Sequence, residues 1–224
     1  MLEKNTKKIQ ARVKRGRGIA KDLNSTIVEM FANGDHFELG VTLRKAMLIS
    51  SLLTNSEAWY GLKVSEIESL ESVDEQYMRG LLNANRMTNK ALLYLELGVV
   101  PIRYIIKARR LNFLHYILSQ KEESLIKQVF NEQWKTSSKN DWTEQIKQDI
   151  KDLNINKGLE DIKGMTKTKF KELVKEKTEL EALKYLKSKI KTKGEEIAYN
   201  ILEMQDYLRP ETKLKLHEKS IHLK

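Results

Sequence analysis

Apolar residues return at every third or fourth position along nearly the whole chain, and that period constrains the fold more than any other feature. Ile9, Val13, Ala20, Leu23, Ile27 and Met30 trace one helical face from about residue 3 to 32, with most basic residues of the segment on the other side. No run of alternating apolar and polar residues marks a strand, and no internal repeat is visible. Two prolines and ten glycines in 224 residues supply few of the turns that a sandwich or barrel needs. With 40% hydrophobic and 32% charged residues, the chain has the composition of a globular protein and the length to bury a core. The predicted class is all-α, a multi-helix bundle followed by a helical connector.

The pattern divides into successive helices. Gly16 and Gly18 interrupt the first, each at about 1 kcal/mol relative to Ala, so a bend is expected there. A second helix carries Phe37, Val41, Arg44, Met47, Leu48 and Leu52 and runs to about Tyr60, with Gly61 as its stop. Ser65 and Glu68 have capping-box spacing ahead of Ile67, Leu70, Val73, Tyr77 and Leu81. Thr88 is placed to cap a short helix from Ala91 to Leu97, closed by Gly98. Pro101 suits the first turn of the most apolar helix, which reaches Leu118 and is expected to be central and buried. A weaker helix covers Glu122 to Trp134. The polar run Lys135 to Asn140 is the predicted boundary between a bundle over 1–135 and a Lys/Glu-rich connector over 136–224. In the connector, Asp141 caps a helix with Trp142, Ile146, Ile150 and Leu153. Thr166 opens a longer one with Phe170, Leu173, Leu180, Leu183 and Ile190 on one face, and Ile197 to Leu208 is a last amphipathic piece.

Much chemistry is excluded. Cysteine is absent, which removes disulfides, thiol nucleophiles, iron–sulfur clusters and cysteine-ligated zinc. No glycine-rich phosphate loop is present, and His36, His115, His217 and His222 lack metal-ligand spacing. No cluster of carboxylates suits a two-metal site. No catalytic residue, metal or cofactor is therefore expected. No stretch approaches the roughly 18 apolar residues of a membrane helix, and no secretory signal is read at the N-terminus, so an intracellular protein with no membrane partner is expected.

The charge is uneven. Residues 1–21 hold Lys4, Lys7, Lys8, Arg12, Lys14, Arg15, Arg17 and Lys21 against Glu3 alone, a net of +7 within a chain total of +10. Such clustering is an electrostatic footprint for polyanions. Lys7, Lys8, Arg12, Lys14, Arg15, Arg17 and Lys21 are candidate phosphate contacts, because a merely solvated face usually mixes signs. Gly16 and Gly18 are read as allowing close backbone approach to a phosphate strand. A second candidate stripe is Arg103, Lys107 and Arg110, at i, i+4 and i+7, where like charges repel unless an anion neutralises them. Arg109 projects into the apolar face and is read as internally paired, with Glu96 as partner. Trp59 and Tyr60 are read as core aromatics rather than base-stacking platforms, and Trp134 and Trp142 as inter-helix packing. The Lys-rich stretch 157–193 is diluted by acids.

Several strings are more specific than composition. They are Leu-Leu-Thr-Asn-Ser-Glu-Ala-Trp-Tyr-Gly-Leu (52–62), Ile-Glu-Ser-Leu-Glu-Ser-Val-Asp (67–74), Ala-Leu-Leu-Tyr-Leu-Glu-Leu-Gly-Val-Val-Pro-Ile-Arg (91–103) and Arg-Arg-Leu-Asn-Phe-Leu-His-Tyr-Ile-Leu (109–118). Together they resemble the region after the catalytic palm in non-LTR (LINE-type) retrotransposon reverse transcriptases, of the kind that ends in a zinc knuckle and a restriction-like endonuclease. Ile-Gln-Ala-Arg-Val-Lys-Arg-Gly-Arg-Gly-Ile (9–19) looks like the start of that thumb, and Leu-Glu-Met-Gln-Asp-Tyr-Leu (202–208) like the segment before the knuckle. The resemblance implies a helical thumb that holds template–primer, whether RNA, DNA or RNA–DNA hybrid, by its phosphate backbone. It also implies a palm domain of the same polyprotein as partner, and a nuclear location. The paired aspartates of the palm, the knuckle ligands and the endonuclease have no counterpart here, so no polymerase or nuclease activity is expected of this chain alone. The alternative is a helical protein-interaction or structural bundle, basic only for solubility.

Overall fold

A computed structural model describes residues 2–30, 37–136 and 141–190. Every regular element among them is helical, as the periodicity predicts. In order these are α1 (Leu2–Met30), α2 (Phe37–Leu43) running through a π-helical stretch (Arg44–Ile49) into α3 (Ser50–Leu52), a 3₁₀ turn (Ser56–Ala58), α4 (Val64–Leu81), α5 (Lys90–Glu96), α6 (Ile102–Leu118), α7 (Leu125–Thr136), α8 (Trp142–Asp152), α9 (Leu159–Gly164) and α10 (Lys167–Ile190). The predicted piece from Ile197 to Leu208 lies outside the described residues.

The described residues fall into two compact units, one from 2–30, 37–52, 68–101 and 182–190, the other from 53–67, 102–136 and 141–181. The boundary expected near 135 is not where they divide. The helices on either side of it, α7 and α8, pack on each other and both pack on α6, which puts them in one unit.

In the first unit, α1 buries Ile9, Val13, Gly16, Ala20, Leu23 and Ile27, a stripe one residue wide at each turn. The helix runs unbroken through Gly16 and Gly18. The glycines have different roles. A Cβ on Gly16 would lie 2.5 Å from Leu52 Cδ2 and 3.1 Å from Val73 Cγ1, so this residue sets how closely α1 meets α3 and α4. Gly16 therefore faces the core and not a ligand. Gly18 is exposed, with nothing within 4 Å of the equivalent position. Gly40 is a second close approach, with Leu81 Cδ1 2.4 Å from where its Cβ would be. Its carbonyl accepts the Tyr77 hydroxyl at 2.7 Å. Burial pushes the Tyr77 phenol up to about 12, so it remains a donor at neutral pH. Arg44, in the π-helical stretch, is 4% exposed and makes a two-pronged bond to Asp74, which is 0% exposed. Its guanidinium also donates to the Val100 carbonyl at 3.2 Å.

In the second unit α6 is the central helix expected from its composition. Leu111, Leu114, Ile117 and Leu118 form one core with Phe130 of α7, Ile146 of α8, Ile162 of α9, and Phe170 and Val174 of α10. His115 belongs to this core too, stacked on Phe170 at 5.0 Å with its Nε2 2.9 Å from the Met165 carbonyl oxygen.

Helix ends depart from expectation where asparagine does work assigned to other residues. The second helix stops at Leu52, eight residues early, because Asn55 turns left-handed (φ 56°) and Ser56–Ala58 tighten into the 3₁₀ turn. The cap of α4 is not Ser65 with Glu68: the Glu66 carboxylate accepts the Lys63 N–H at 2.9 Å, two residues earlier. Asn89, not Thr88, caps α5, accepting the Ala91 N–H. Asn83, Gly98 and Asn154 all have positive φ, and each sits inside a six-residue closure, Ala84 N–H to Arg79 O, Val99 to Tyr94 and Ile155 to Ile150. Asp141 caps α8 as predicted, accepting the Glu144 N–H at 2.7 Å. The short α9 has no apolar period to announce it and opens where the Gly158 N–H reaches Asp161 Oδ2. On α10, Leu180 is 41% exposed, while Val174, Ala182 and Leu186 take its place in the buried face.

Ile106→Ala, at a site 1% exposed, is expected to lower unfolding free energy by about 2–5 kcal/mol in urea titration. Gly16→Val is expected to destabilise by about 1–3 kcal/mol through overpacking against the buried Leu52. Gly18→Ala should stabilise by up to about 1 kcal/mol, because only helix propensity changes there.

Candidate nucleic-acid interface

Because the buried stripe of α1 is narrow, its opposite side carries the cations to solvent. Lys7, Lys8, Lys14, Arg15, Arg17 and Lys21 are all exposed. None of the six makes an ion pair with a carboxylate among the described residues. At 1.5 Å per residue they span about 21 Å of helix. Arg12 stands apart. It is half-buried at the edge of the stripe, where its Nη1 donates to the Ser51 carbonyl at 3.5 Å. Burial, and then the charge of Arg15, lower its pKa.

The second stripe behaves differently, and the phosphate contact expected of it does not hold for two of its members. Arg110 is 5% exposed; its Nε and Nη2 reach Asp149 at 2.6 and 2.9 Å, and its Nη1 donates to the Trp59 carbonyl at 3.1 Å. Lys107 is bridged to Asp152. The spacing explains both: Lys107 and Arg110 are three apart on α6, Asp149 and Asp152 three apart on α8, and the helices meet rung on rung. The anion that neutralises the stripe is the chain itself. Arg103 is half-buried and has an interaction of its own. Burial raises the Asp149 carboxyl, against the pull of Arg110. Burial also opposes ionisation of Asp152, yet the bonds from Lys107 and Gln148 hold it below the usual carboxylate range.

Arg109 is internally satisfied, but not by Glu96. Its Nη1 donates to the Leu53 carbonyl and lies 3.3 Å from Ser56 Oγ, fastening the 3₁₀ turn to α6. Burial lowers its pKa, with Glu57 acting the other way. Trp59 and Tyr60 are half-buried in the segment before α4. Trp142 packs edge-on against Phe113 and Phe130, and its Nε1 donates to the Glu57 carbonyl at 2.8 Å; Trp134 tilts on Phe130 at 5.4 Å.

The second unit also carries an apolar groove of about 180 Å³, lined by Phe113 and Ile117 of α6, Ile126, Val129 and Phe130 of α7, and Trp142 of α8. Tyr116 and Leu125, 52% and 76% exposed, lie on the same helices. Among the described residues no group of three or more His, Asp or Glu could hold a metal ion, and no helix is long and apolar enough to cross a membrane. Comparison with known protein families, curated proteins and solved structures finds no match.

Removing one partner of the α6–α8 pair leaves a buried charge. Arg110→Ala is therefore expected to cost about 3–5 kcal/mol by chemical denaturation. Asp152 has a depressed pKa, so its stabilisation is present above the unfolded value of about 3.9 and is lost as pH falls through the lower folded value. The difference in urea midpoint between the native chain and Asp152→Asn should accordingly be present at pH 6 and shrink as the pH is lowered past the unfolded carboxylate value and through the lower folded one.

Proposed function

We propose that this chain is a non-catalytic nucleic-acid-binding helical module whose α1 lies against a sugar–phosphate backbone. The observation that carries the reading is the sorting of cations. Arg44, Lys107, Arg109 and Arg110 are engaged by internal carboxylates and carbonyls, while six cations on one face of α1 have no carboxylate partner among the described residues. Unpaired cations on a rigid helix bind a polyanion by releasing its condensed counterions, so affinity falls with salt by about 0.9 log units per log unit of salt for each duplex phosphate engaged. Backbone contacts position without reading sequence, so little base specificity comes from α1. The resemblance to the thumb and connector of non-LTR reverse transcriptases supplies the setting: a template–primer of RNA, DNA or hybrid, with a palm domain beside it.

A second reading rests on the groove of the second unit, whose apolar lining fits a partner helix. It predicts binding that is insensitive to salt and destroyed by Val129→Glu.

Fluorescence anisotropy on a DNA duplex and on an RNA–DNA hybrid, at several salt concentrations, separates the two. The expected slope on the duplex is steep, about −5 when all six cations are engaged. Charge reversal at Lys14, Arg15 and Arg17 should flatten it by about 3 and leave thermal stability nearly unchanged. Absence of binding at low salt, or a flat slope, would contradict the proposal.

A further inference from the structure

We infer that the turn between α4 and α5 is a second contact of the same interface, with Arg86 on a backbone phosphate and Met87 as an apolar wedge against a base step of a double-stranded nucleic acid. The inference rests on the nucleic-acid reading of α1 and adds to it the residues that touch bases.

Met87 is 90% exposed, the most exposed of the large apolar residues described, and its turn is braced from beneath. Arg79, in the last turns of α4, donates to the Asn85 carbonyl at 2.7 Å and to the Thr88 carbonyl at 2.8 Å, one on each side of Arg86 and Met87. The Asn85 side chain accepts the Met87 N–H at 2.9 Å, and the Thr88 N–H closes on the Asn85 carbonyl at 3.0 Å. Asn89 then caps α5. A turn held by the Arg79 guanidinium, the Asn85 side chain and the Asn89 helix cap presents its apolar tip in one orientation. Burying a methionine elsewhere stabilises a fold, and here that side chain is displayed instead.

Charge and placement select the partner. No acid occurs between Glu75 and Glu96, and Arg86 is exposed with no ion pair among the described residues. The turn leaves α4 beside α1. Gly80 sits so close to Asn24 that a Cβ there would be 2.0 Å from the Asn24 amide nitrogen, which itself donates to the Tyr77 carbonyl. Asn24 lies three residues from Lys21 and seven from Arg17, on the flank of α1 that carries both. Single-strand binders stack bases on aromatic faces, and neither α1 from Lys7 to Ile27 nor the turn contains an aromatic residue. An aliphatic wedge beside phosphate-binding cations is instead the means by which proteins open a base step of a duplex.

The test is anisotropy and 2-aminopurine fluorescence on a 20-base-pair DNA duplex with the probe beside a flexible TA step. The native chain is expected to bind and raise probe fluorescence by unstacking it. Met87→Ala should weaken binding about tenfold and abolish the rise without changing the salt slope. Arg86→Ala should reduce the slope by about 1. Arg79→Ala, which removes the two hydrogen bonds bracing the turn but no proposed contact to the duplex, should lose most of the fluorescence rise. Both exposed-residue variants should keep the native unfolding midpoint. A native slope that depends on α1, with Met87→Ala and Arg86→Ala indistinguishable from native, would overturn this inference alone. No duplex binding by the native chain would overturn it together with the α1 reading.

Discussion

Two buried arginine–aspartate pairs hold Arg44 and Arg110 inside the chain, out of reach of any external anion. Taking a guanidinium and a carboxylate out of water is costly, and the cost is met only when each charge finds the other with good geometry and further hydrogen bonds. Arg44 with Asp74, and Arg110 with Asp149, meet that condition with two-pronged contacts and an extra carbonyl each, Val100 and Trp59. For Arg44 burial works against the charge and Asp74 more than restores it. In the second unit the rung formed by Lys107 and Asp152 repeats the pair one turn away, so α6 and α8 match in a single register. The pairs are best understood as fixing which helices meet and where, with net stability coming from the apolar cores around them.

The outer face of α1 follows from the opposite arrangement. Its core stripe is narrow because Gly16 and Ala20 let α1 sit close to its neighbours, which leaves more than half the circumference for solvent. Six cations occupy that arc. Helices stabilised by their own surface charges alternate signs at i, i+3 or i, i+4, as the Glu132 and Lys135 pair on α7 does in miniature. None of the six cations on the arc of α1 makes such a pair among the described residues.

Helix type and buried face were legible in the sequence wherever the apolar period was long. The α1 stripe, the central position of α6 and the Asp141 cap all follow from spacing and cap chemistry. What was not legible shares one cause, since it depends on residues far apart in the chain. Asp149 and Asp152 carry the same three-residue spacing as Lys107 and Arg110, but spacing alone does not say that α8 crosses α6. Arg109 meets a carbonyl 56 residues away and not the nearby Glu96. Gly16 reads as a helix defect until Leu52 and Val73 are placed beside it. The asparagines at 55, 83, 89 and 154 are local signals of a different kind, three adopting positive φ where a helix ends and Asn89 capping α5 with its side chain.

The sorting of cations has a direct chemical readout. Amine acetylation of the full chain, read by mass spectrometry with and without a saturating DNA duplex, reports which lysines a polyanion covers. The account predicts protection of Lys7, Lys8, Lys14 and Lys21, with Lys107 unaffected because Asp152 already holds it, and with Lys167, Lys169, Lys171 and Lys175 of α10 unchanged. Protection concentrated on α10, or spread evenly over all lysines, would contradict it.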